Sequence, residues 1–404
     1  MRVRPVWAWN FGPTTSPGTG AGWDIVSSFL RPASHLRRQN PKLQRSYERQ
    51  PVEGVDYLFI RTPPYSGTGL DRLTNINAFM TGVMSAAGPL ADSFMPDVVI
   101  SSSTYPFDAY PARRIADRSG GIHIHEVHDL WPMTLLNLYG FSPLNPAMMA
   151  MQVAENYALS QSDAVVSMLP GVGHYMAERD LDASRFTCIP NGVEPDESVL
   201  PPPPSVVDAF WQMRGRYKHN VLYLGGFARA NGVEDYLRVA ALRPEVLFVT
   251  VGDGSEKQVL QRRAVEEGIH NLLFLPPVPH TQVYATLCLA DVLYIGAKKS
   301  GLYRYGVGMN KFYEYMASGR PVISAIEAMN DPVREADCGI SVPAEEPRAA
   351  AWALDRLLSM DNRERAEMGR RGIDYVAQRH SYPVLADRFI KMMGDTLCEK
   401  KVLF

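Results

Sequence analysis

Apolar strand patterns alternate with helical patterns along most of this chain, and the alternation starts afresh midway. The strand-type segments of the first half are residues 97–101, 122–128, 164–169 and 186–193. Those of the second half are residues 221–226, 247–254, 272–275, 292–295 and 339–342. Helical patterns such as 107–118 and 146–161 lie between them. Strands that alternate with helices in this way form parallel sheets with helices on both faces.

The two series meet at a run of four prolines, residues 201–204, which is the best candidate for a linker. A chain of 404 residues is long enough for two such domains. We therefore predict an α/β protein of two doubly wound, Rossmann-like domains, residues 1–195 and 196–377, facing across a cleft. A C-terminal helix, residues 378–404, is expected to pack back toward the first domain.

Residues 311–323 indicate a helix followed by a buried strand. Phe312, Tyr315 and Met316 have helical spacing, and Gly319 can end the helix. A single carboxylate, Glu314, lies within the apolar pattern. A basic loop precedes the helix, and free amides at a helix N-terminus beside cations bind phosphate well. The alternative interpretation is an ordinary buried helix after a solvated loop.

Composition excludes several classes of function. The chain has 41 basic and 43 acidic residues, which gives no general attraction to nucleic acid. Its four cysteines are scattered, as is typical of reduced thiols in the cytoplasm. No segment has an apolar run of about 18 residues, so any membrane association is expected to be peripheral.

Two N-terminal features indicate ligand contacts. Gly18, Gly20 and Gly22 nearly form a dinucleotide fingerprint, but Trp23 occupies the place of its last glycine. They are consistent with close approach of the backbone to another ligand. The cationic stretch 35–45 includes Arg37 and Arg38 and fits contact with an anionic acceptor or a membrane surface, or a solvated loop.

Several motifs resemble the landmarks of the retaining glycosyltransferases of family 4, which have the GT-B fold. They are Ile-Pro-Asn-Gly-Val at 189–193, Tyr-Leu-Gly-Gly at 223–226, Val-Gly-Asp-Gly at 251–254 and the segment 311–323. Segments 35–41, 62–67, 72–75 and 126–132 are similar to the bacterial branch that builds O-antigen, capsule and exopolysaccharide. The resemblance runs over most of the chain.

The resemblance implies transfer of a sugar from a nucleotide diphosphate, a UDP-sugar rather than a GDP-sugar, to a glycan or polyprenyl-diphosphate-linked acceptor, without a cofactor or a catalytic metal. It implies that Glu314 accepts hydrogen bonds from ribose, that His128 and Asp129 are catalytic, and that Gly18, Gly20, Gly22, Arg37 and Arg38 are on the acceptor side. The other implied donor-binding residues are Gly225, Gly226, Arg229, Gly252, Lys298, Lys299, Arg304, Gly308, Met309, Asn310 and Lys311.

The chain departs from the family pattern in places. Gly306 stands where a second glutamate is usual, and Gly226 and Asn231 stand near the usual donor-phosphate cations. A sugar-nucleotide-binding subunit without activity therefore remains an alternative, as does a nucleotide-sugar isomerase.

A zinc-dependent hydrolase is a further alternative. His123 and His125 share one face of a strand, and His128 and Asp129 follow at its end. Three imidazoles and a carboxylate suit zinc; the other interpretation of the first two histidines is that they pack inside the strand layer.

Overall fold

The computed structural model describes residues 28–32, 43–52, 55–65, 70–103, 105–193 and 200–402. They form two compact units: unit 1 comprises those within 1–189 and 387–404, and unit 2 comprises those within 190–386. The residues that the sequence analysis placed on the acceptor side, Gly18, Gly20, Gly22, Arg37 and Arg38, lie outside the described residues.

Unit 1 contains seven strands and five helices among its described residues. The strands are β1 (Ser28–Pro32), β2 (Tyr47–Val52), β3 (Val55–Ile60), β4 (Val98–Ser101), β5 (Ile122–Val127), β6 (Ala164–Ser167) and β7 (Phe186–Cys188). The helices are α1 (Leu70–Phe94), α2 (Ala109–Ser119), α3 (Met133–Tyr139), α4 (Pro146–Gln161) and α5 (Val172–Ala177).

The central sheet of unit 1 is parallel, with strand order β4-β5-β6-β7. Every residue of β4 and β6 is buried, because helices cover a parallel sheet and leave no strand face to water. Helices α1 and α2 pack with these strands in one apolar core that also contains Met392, Met393 and Leu397.

A second, three-stranded sheet has the order β1-β3-β2, with β1 parallel and β2 antiparallel to β3. The sequence analysis did not predict β2. Its sequence, Tyr-Glu-Arg-Gln-Pro-Val, lacks an apolar pattern and contains a proline, which a strand tolerates at the edge of a sheet.

The described residues of unit 2 contain six strands. They are β8 (Asn220–Leu224), β9 (Leu247–Val251), β10 (Leu272–Leu275), β11 (Val292–Gly296), β12 (Val322–Ala325) and β13 (Gly339–Ser341). Its helices are α6 (Pro204–Arg214), α7 (Val233–Leu242), α8 (Lys257–Glu266), α9 (Val283–Leu287), α10 (Asn310–Ala317), α11 (Pro332–Glu335), α12 (Pro347–Ser359) and α13 (Asn362–Arg379). A last helix, α14 (Tyr382–Val402), begins in unit 2 and ends in unit 1.

The sheet of unit 2 is parallel throughout, with order β10-β9-β8-β11-β12-β13. This is the order of a doubly wound Rossmann sheet, in which the chain turns back at the centre, between its first and fourth strands. The parallel sheets of both units confirm the α/β class predicted from the sequence.

The unit boundary lies before the proline run, at residues 189 and 190, whereas the sequence analysis placed it after residue 195. Ile189 still donates its N–H to Ser167 of β6, while the N–H of Val193 donates to His380 of unit 2. Pro204 is not part of a linker but the first residue of α6, where a missing N–H has no cost.

Candidate active site

The centre of the unit 2 sheet has the topology that creates a ligand crevice. Strands β8 and β11 are neighbours, but their connections lead to opposite sides of the sheet, so the loops that follow them diverge. The loops stay linked, since the N–H of Lys298 donates to the carbonyl of Ala230 at 3.0 Å. Of the residues predicted to bind a donor, Gly225, Gly226 and Arg229 follow β8.

Glycines allow the turns after β8 and β9 to pack directly on each other. Gly225 donates its N–H to Val251 at 2.9 Å, and Phe227 donates to Asp253 at 2.9 Å. Gly252 has φ of 147°, and a Cβ there would lie 2.0 Å from the Gly225 carbonyl oxygen. Gly225 and Gly252 therefore have a structural role at the edge of the crevice.

Helix α10 points its first turn to the same edge. Its N-cap residue, Met309, is extended and makes no side-chain cap, so the first amides of the helix have no capping oxygen from that residue. Gly308 accepts a hydrogen bond from the Asn191 side chain at 2.7 Å. Buried Tyr315 fixes the helix to the sheet, because its hydroxyl donates to Leu224 O at 2.8 Å.

Lys311 places a cation at the end of β8. Its Nζ donates to the Tyr223 hydroxyl at 2.9 Å and lies 4.7 Å from the centre of that ring. A Cβ on Gly225 would lie 2.8 Å from Lys311 Cε, so the lysine stem occupies the space that the glycine leaves. Burial lowers the pKa of Lys311 to about 8, although Glu314 opposes this shift.

Glu314 lies one turn further along α10, and its side chain is 22% exposed. One carboxylate oxygen is 3.6 Å from Nε2 of His280, which is largely exposed. The carboxylate thus keeps access to solvent beside a mostly apolar helix.

The other predicted donor-site cations have varied surroundings. Lys298 Nζ lies 3.2 Å from both Glu234 and Glu345, so carboxylates of other elements already hold it. Lys299 lies 3.4 Å from Glu327. Arg304 stacks on the ring of Tyr305, and Arg229 is exposed. Among the predicted cations, Lys311 is the one whose side chain packs against Gly225, which follows β8.

The paired histidines of β5 are buried in a chain of hydroxyl groups. Ser101 Oγ lies 2.9 Å from His123 Nε2 and 2.9 Å from His125 Nδ1. Ser162 lies 3.3 Å from the other nitrogen of His123. Burial lowers the pKa of both histidines, that of His125 to about 3. They are neutral packed residues of the strand layer.

No group of three or more His, Cys, Asp and Glu side chains among the described residues is arranged to hold a metal ion. The hydrolase alternative therefore loses the cluster on which it depended.

His128 and Asp129 follow the end of β5. His128 Nε2 lies 2.9 Å from Ser102 Oγ, and Ser102 donates to Glu126 at 2.6 Å. Asp129 is exposed. Asp108, which the sequence analysis did not select, is fully buried nearby, and burial raises its pKa to about 7.

The residues that sequence reasoning missed are Tyr223, Tyr315, Ser102, Glu126 and Asp108. Glu126, Tyr223 and Tyr315 lie inside motifs that the sequence analysis quoted, which was the available signal. The serine and the buried aspartate had no signal, because their role depends on which strands are neighbours.

Within the part of the chain that the structure describes, no helix is long and apolar enough to cross a membrane.

Two family models match the chain. The one described as glycosyl transferases group 1 matches residues 216–375, all in unit 2. The one described as glycosyl transferase 4-like domain matches residues 20–192, nearly all in unit 1. No curated protein matches the chain in a search by sequence.

Solved structures share the fold at low identity. Sucrose-phosphate synthase from Thermosynechococcus elongatus is 18% identical, with a TM-score of 0.68 over 94% of this chain and 90% of its own. The α,α-trehalose 6-phosphate synthase of Burkholderia multivorans is 15% identical, with a TM-score of 0.66 over 100% and 98%. Anabaena HepE in complex with UDP and glucose is 15% identical, with a TM-score of 0.62 over 85% and 87%.

The two family models, one for each unit, together with the shared fold of two Rossmann-like domains, identify this chain as a GT-B glycosyltransferase similar to family 4.

Proposed function

We propose that this glycosyltransferase moves a sugar from a nucleotide diphosphate, a UDP-sugar rather than a GDP-sugar, to a saccharide or lipid-linked saccharide. We further propose retention of the anomeric configuration and a role in surface polysaccharide biosynthesis. HepE has been solved with UDP and glucose, and with UDP-glucose, which supports the choice of uridine. The motifs of the bacterial polysaccharide branch support the choice of pathway.

The observation that carries the proposal is Lys311 at the start of α10, held against Gly225, which follows β8, and against the Tyr223 hydroxyl. Glycosyl transfer leaves a diphosphate with increased negative charge in the transition state. A cation and helix amides fixed at that place stabilise the transition state more than the ground state. We assign this role to Lys311 and to the amides of Asn310 and Lys311 rather than to a metal ion, so activity should persist in EDTA.

Glu314 is assigned to the ribose of the donor. Its carboxylate is partly exposed, and it lies three residues after Lys311 on the same helix. Residues three apart on a helix lie on the same face. One face of α10 therefore offers a cation for phosphate and an acceptor for two hydroxyl groups.

A surface segment of unit 1 supports a lipid-linked acceptor. Residues 130–154 contain no Asp, Glu, Lys, Arg or His. Its exposed large side chains are Tyr139, Phe141, Leu144, Met149 and Val153, with Leu144 81% exposed. Aromatic and aliphatic side chains without charges suit the interface of a bilayer, where burying them costs no desolvated charge. We propose that this segment touches the membrane surface.

Donor turnover with and without acceptor tests the proposed function. A panel of UDP- and GDP-sugars is incubated with bacterial membrane lipid extract, and release of nucleotide diphosphate is measured. We expect release from a UDP-sugar that depends on acceptor and survives EDTA, and a product whose anomeric coupling matches that of the donor. A bound donor without any release would favour the non-catalytic subunit, and conversion of the sugar without acceptor would favour an isomerase.

A further inference from the structure

A polar relay lies at the carboxyl ends of β4 and β5 in unit 1. Ser102 Oγ donates to Glu126 Oε2 at 2.6 Å and lies 2.9 Å from His128 Nε2. Ser102 is 1% exposed, and the side chain of His128 is 9% exposed. Ser102 and His128 are therefore largely shielded from water, where each hydrogen bond has a strong influence on its neighbours, and Glu126 is 23% exposed.

The relay fixes the position of a proton on His128. Ser102 has one hydroxyl proton, and the Glu126 carboxylate can only accept, so that proton points to Glu126. The contact between Ser102 Oγ and His128 Nε2 then requires the imidazole to donate. Neutral imidazole carries one N–H, so Nε2 is protonated and Nδ1 is the basic nitrogen.

The neighbouring relay has the same chemistry but no carboxylate. Ser101, one residue earlier on β4, links His123 to His125, and its chain of hydrogen bonds ends at Ser162, which donates to a backbone carbonyl at 2.6 Å. Of these two relays, only that of Ser102 ends on a carboxylate. Glu126 Oε2 lies 3.9 Å from His128 Nε2. Glu126 can thus also stabilise His128 when it takes up a proton.

We propose that Ser102 and Glu126 are positioning residues that hold His128 as the Nε2–H tautomer and present Nδ1 as a hydrogen-bond acceptor. The consequence of this inference rests on the proposed function: His128 accepts a hydrogen bond from a hydroxyl group of the transferred sugar.

The tautomer is measured without any donor sugar. Two-bond ¹H–¹⁵N correlation spectra of histidine-labelled protein distinguish Nδ1–H from Nε2–H rings, and the spectrum of His128→Gln assigns the signals of His128. We expect the Nε2–H pattern in the wild type and a shift toward Nδ1–H in Ser102→Ala. Ser101→Ala is the matched control, and it should change the signals of His123 and His125 only.

Kinetics test the consequence. In Ser102→Ala and Glu126→Gln, kcat should fall about ten- to hundredfold with little change in donor KM, the range for a misplaced proton-transfer or hydrogen-bonding group. Ser102→Thr keeps the hydroxyl and should restore both tautomer and rate. An Nδ1–H ring in the wild type, or an unchanged tautomer in Ser102→Ala, would overturn the proposal.

The two proposals fail in different ways. If the protein transfers no sugar, the proposed function fails, while the spectra still decide the tautomer. If it transfers sugar and neither Ser102→Ala nor Glu126→Gln lowers kcat, the positioning role is wrong although the function stands.

Discussion

Replacing Lys311 with methionine should make the protein more stable and weaken its affinity for a donor. Burial lowers the pKa of Lys311 from 10.5 to about 8. The charged form is therefore held at an energetic disadvantage in the folded protein. A residue that costs stability where it stands is expected at a functional site rather than in a structural core.

The magnitude follows from the pKa. A lysine pKa lowered from 10.5 to about 8 corresponds to an upper limit of about 3 kcal/mol of destabilisation below pH 8. Methionine has a similar length without the charge, but it loses the hydrogen bond to Tyr223 and the contact with its ring, together worth about 2 kcal/mol. We expect Lys311→Met to be more stable by about 1 kcal/mol at pH 7, or about 2–4 °C in Tm.

The pH dependence has a definite sign. Between pH 8 and 10.5 the unfolded chain binds a proton at this lysine that the folded protein has released, so wild-type stability rises with pH over this range. The advantage of Lys311→Met should therefore shrink above pH 8 and disappear by about pH 10. Donor affinity, which needs the charged lysine, should fall in the wild type as the pH rises through 8.

Thermal unfolding at pH 7 and 10 and donor titration provide the assay. Lys257→Met is the matched control, since Lys257 Nζ donates to the Gly252 and Leu275 carbonyls at 2.6 and 2.9 Å at the same sheet edge. Lys257→Met should lower Tm, because it removes these two hydrogen bonds. For Lys311→Met we expect donor affinity to fall about 30-fold, the scale of a lost charged hydrogen bond. A lower Tm at pH 7 or an unchanged donor affinity would refute the reasoning.

Three further predictions concern other parts of the molecule. Glu314→Ala should raise donor KM about tenfold with little change in kcat, since it removes ribose contacts present in both ground and transition states; an unchanged KM would remove it from the site. The double variant Phe141→Ser/Leu144→Ser should bind lipid vesicles about tenfold more weakly in a sedimentation assay, whereas Val265→Ser, at an exposed residue of unit 2, should bind as the wild type does. Equal binding of the wild type and both variants would contradict the proposed membrane contact of residues 130–154. Burial lowers the pKa of His125 to about 3, so below pH 6.5 the unfolded chain binds a proton at this residue that the folded protein does not. The free energy of unfolding should therefore fall by about 1.4 kcal/mol per pH unit from this group as the pH is lowered. In urea titrations at different pH values, His125→Gln should show a pH slope smaller by that amount.

Much of the secondary structure followed from local pattern. Strand β10 matches its predicted bounds, because a short apolar run that ends at a proline has few alternatives. Helix α4 also matches, since Asn145 caps it and Pro146 opens it. Strand β2 was missed, because it forms through pairing with β3 rather than through its own pattern. Helix α6 was missed because its first residue, Pro204, belongs to the proline run that was interpreted as a linker.

The candidate site depends on contacts that sequence order does not contain. Lys298 was selected as a phosphate cation, but carboxylates on α7 and in the segment after β13 hold it. Lys311 was one of several candidates until the structure placed it against Gly225 and Tyr223. The family resemblance supplied Glu314 and His128, whereas the relay of Ser102 and Glu126 required knowledge that β4 and β5 are neighbours.

Stabilisation of the protein by a UDP-sugar is the most direct test of a donor site in unit 2, in the crevice between the loops that follow β8 and β11. A UDP-sugar at 100 times its Kd should raise the free energy of unfolding by about 2.7 kcal/mol and raise Tm accordingly. We predict this effect for the wild type and for Ser102→Ala. At the same donor concentration it should be reduced to about 0.9 kcal/mol in Lys311→Met and about 1.4 kcal/mol in Glu314→Ala, because their donor binding is about 30-fold and tenfold weaker. If no nucleotide sugar shifts Tm, or if Lys311→Met with Glu314→Ala is stabilised as much as the wild type, the donor site lies elsewhere.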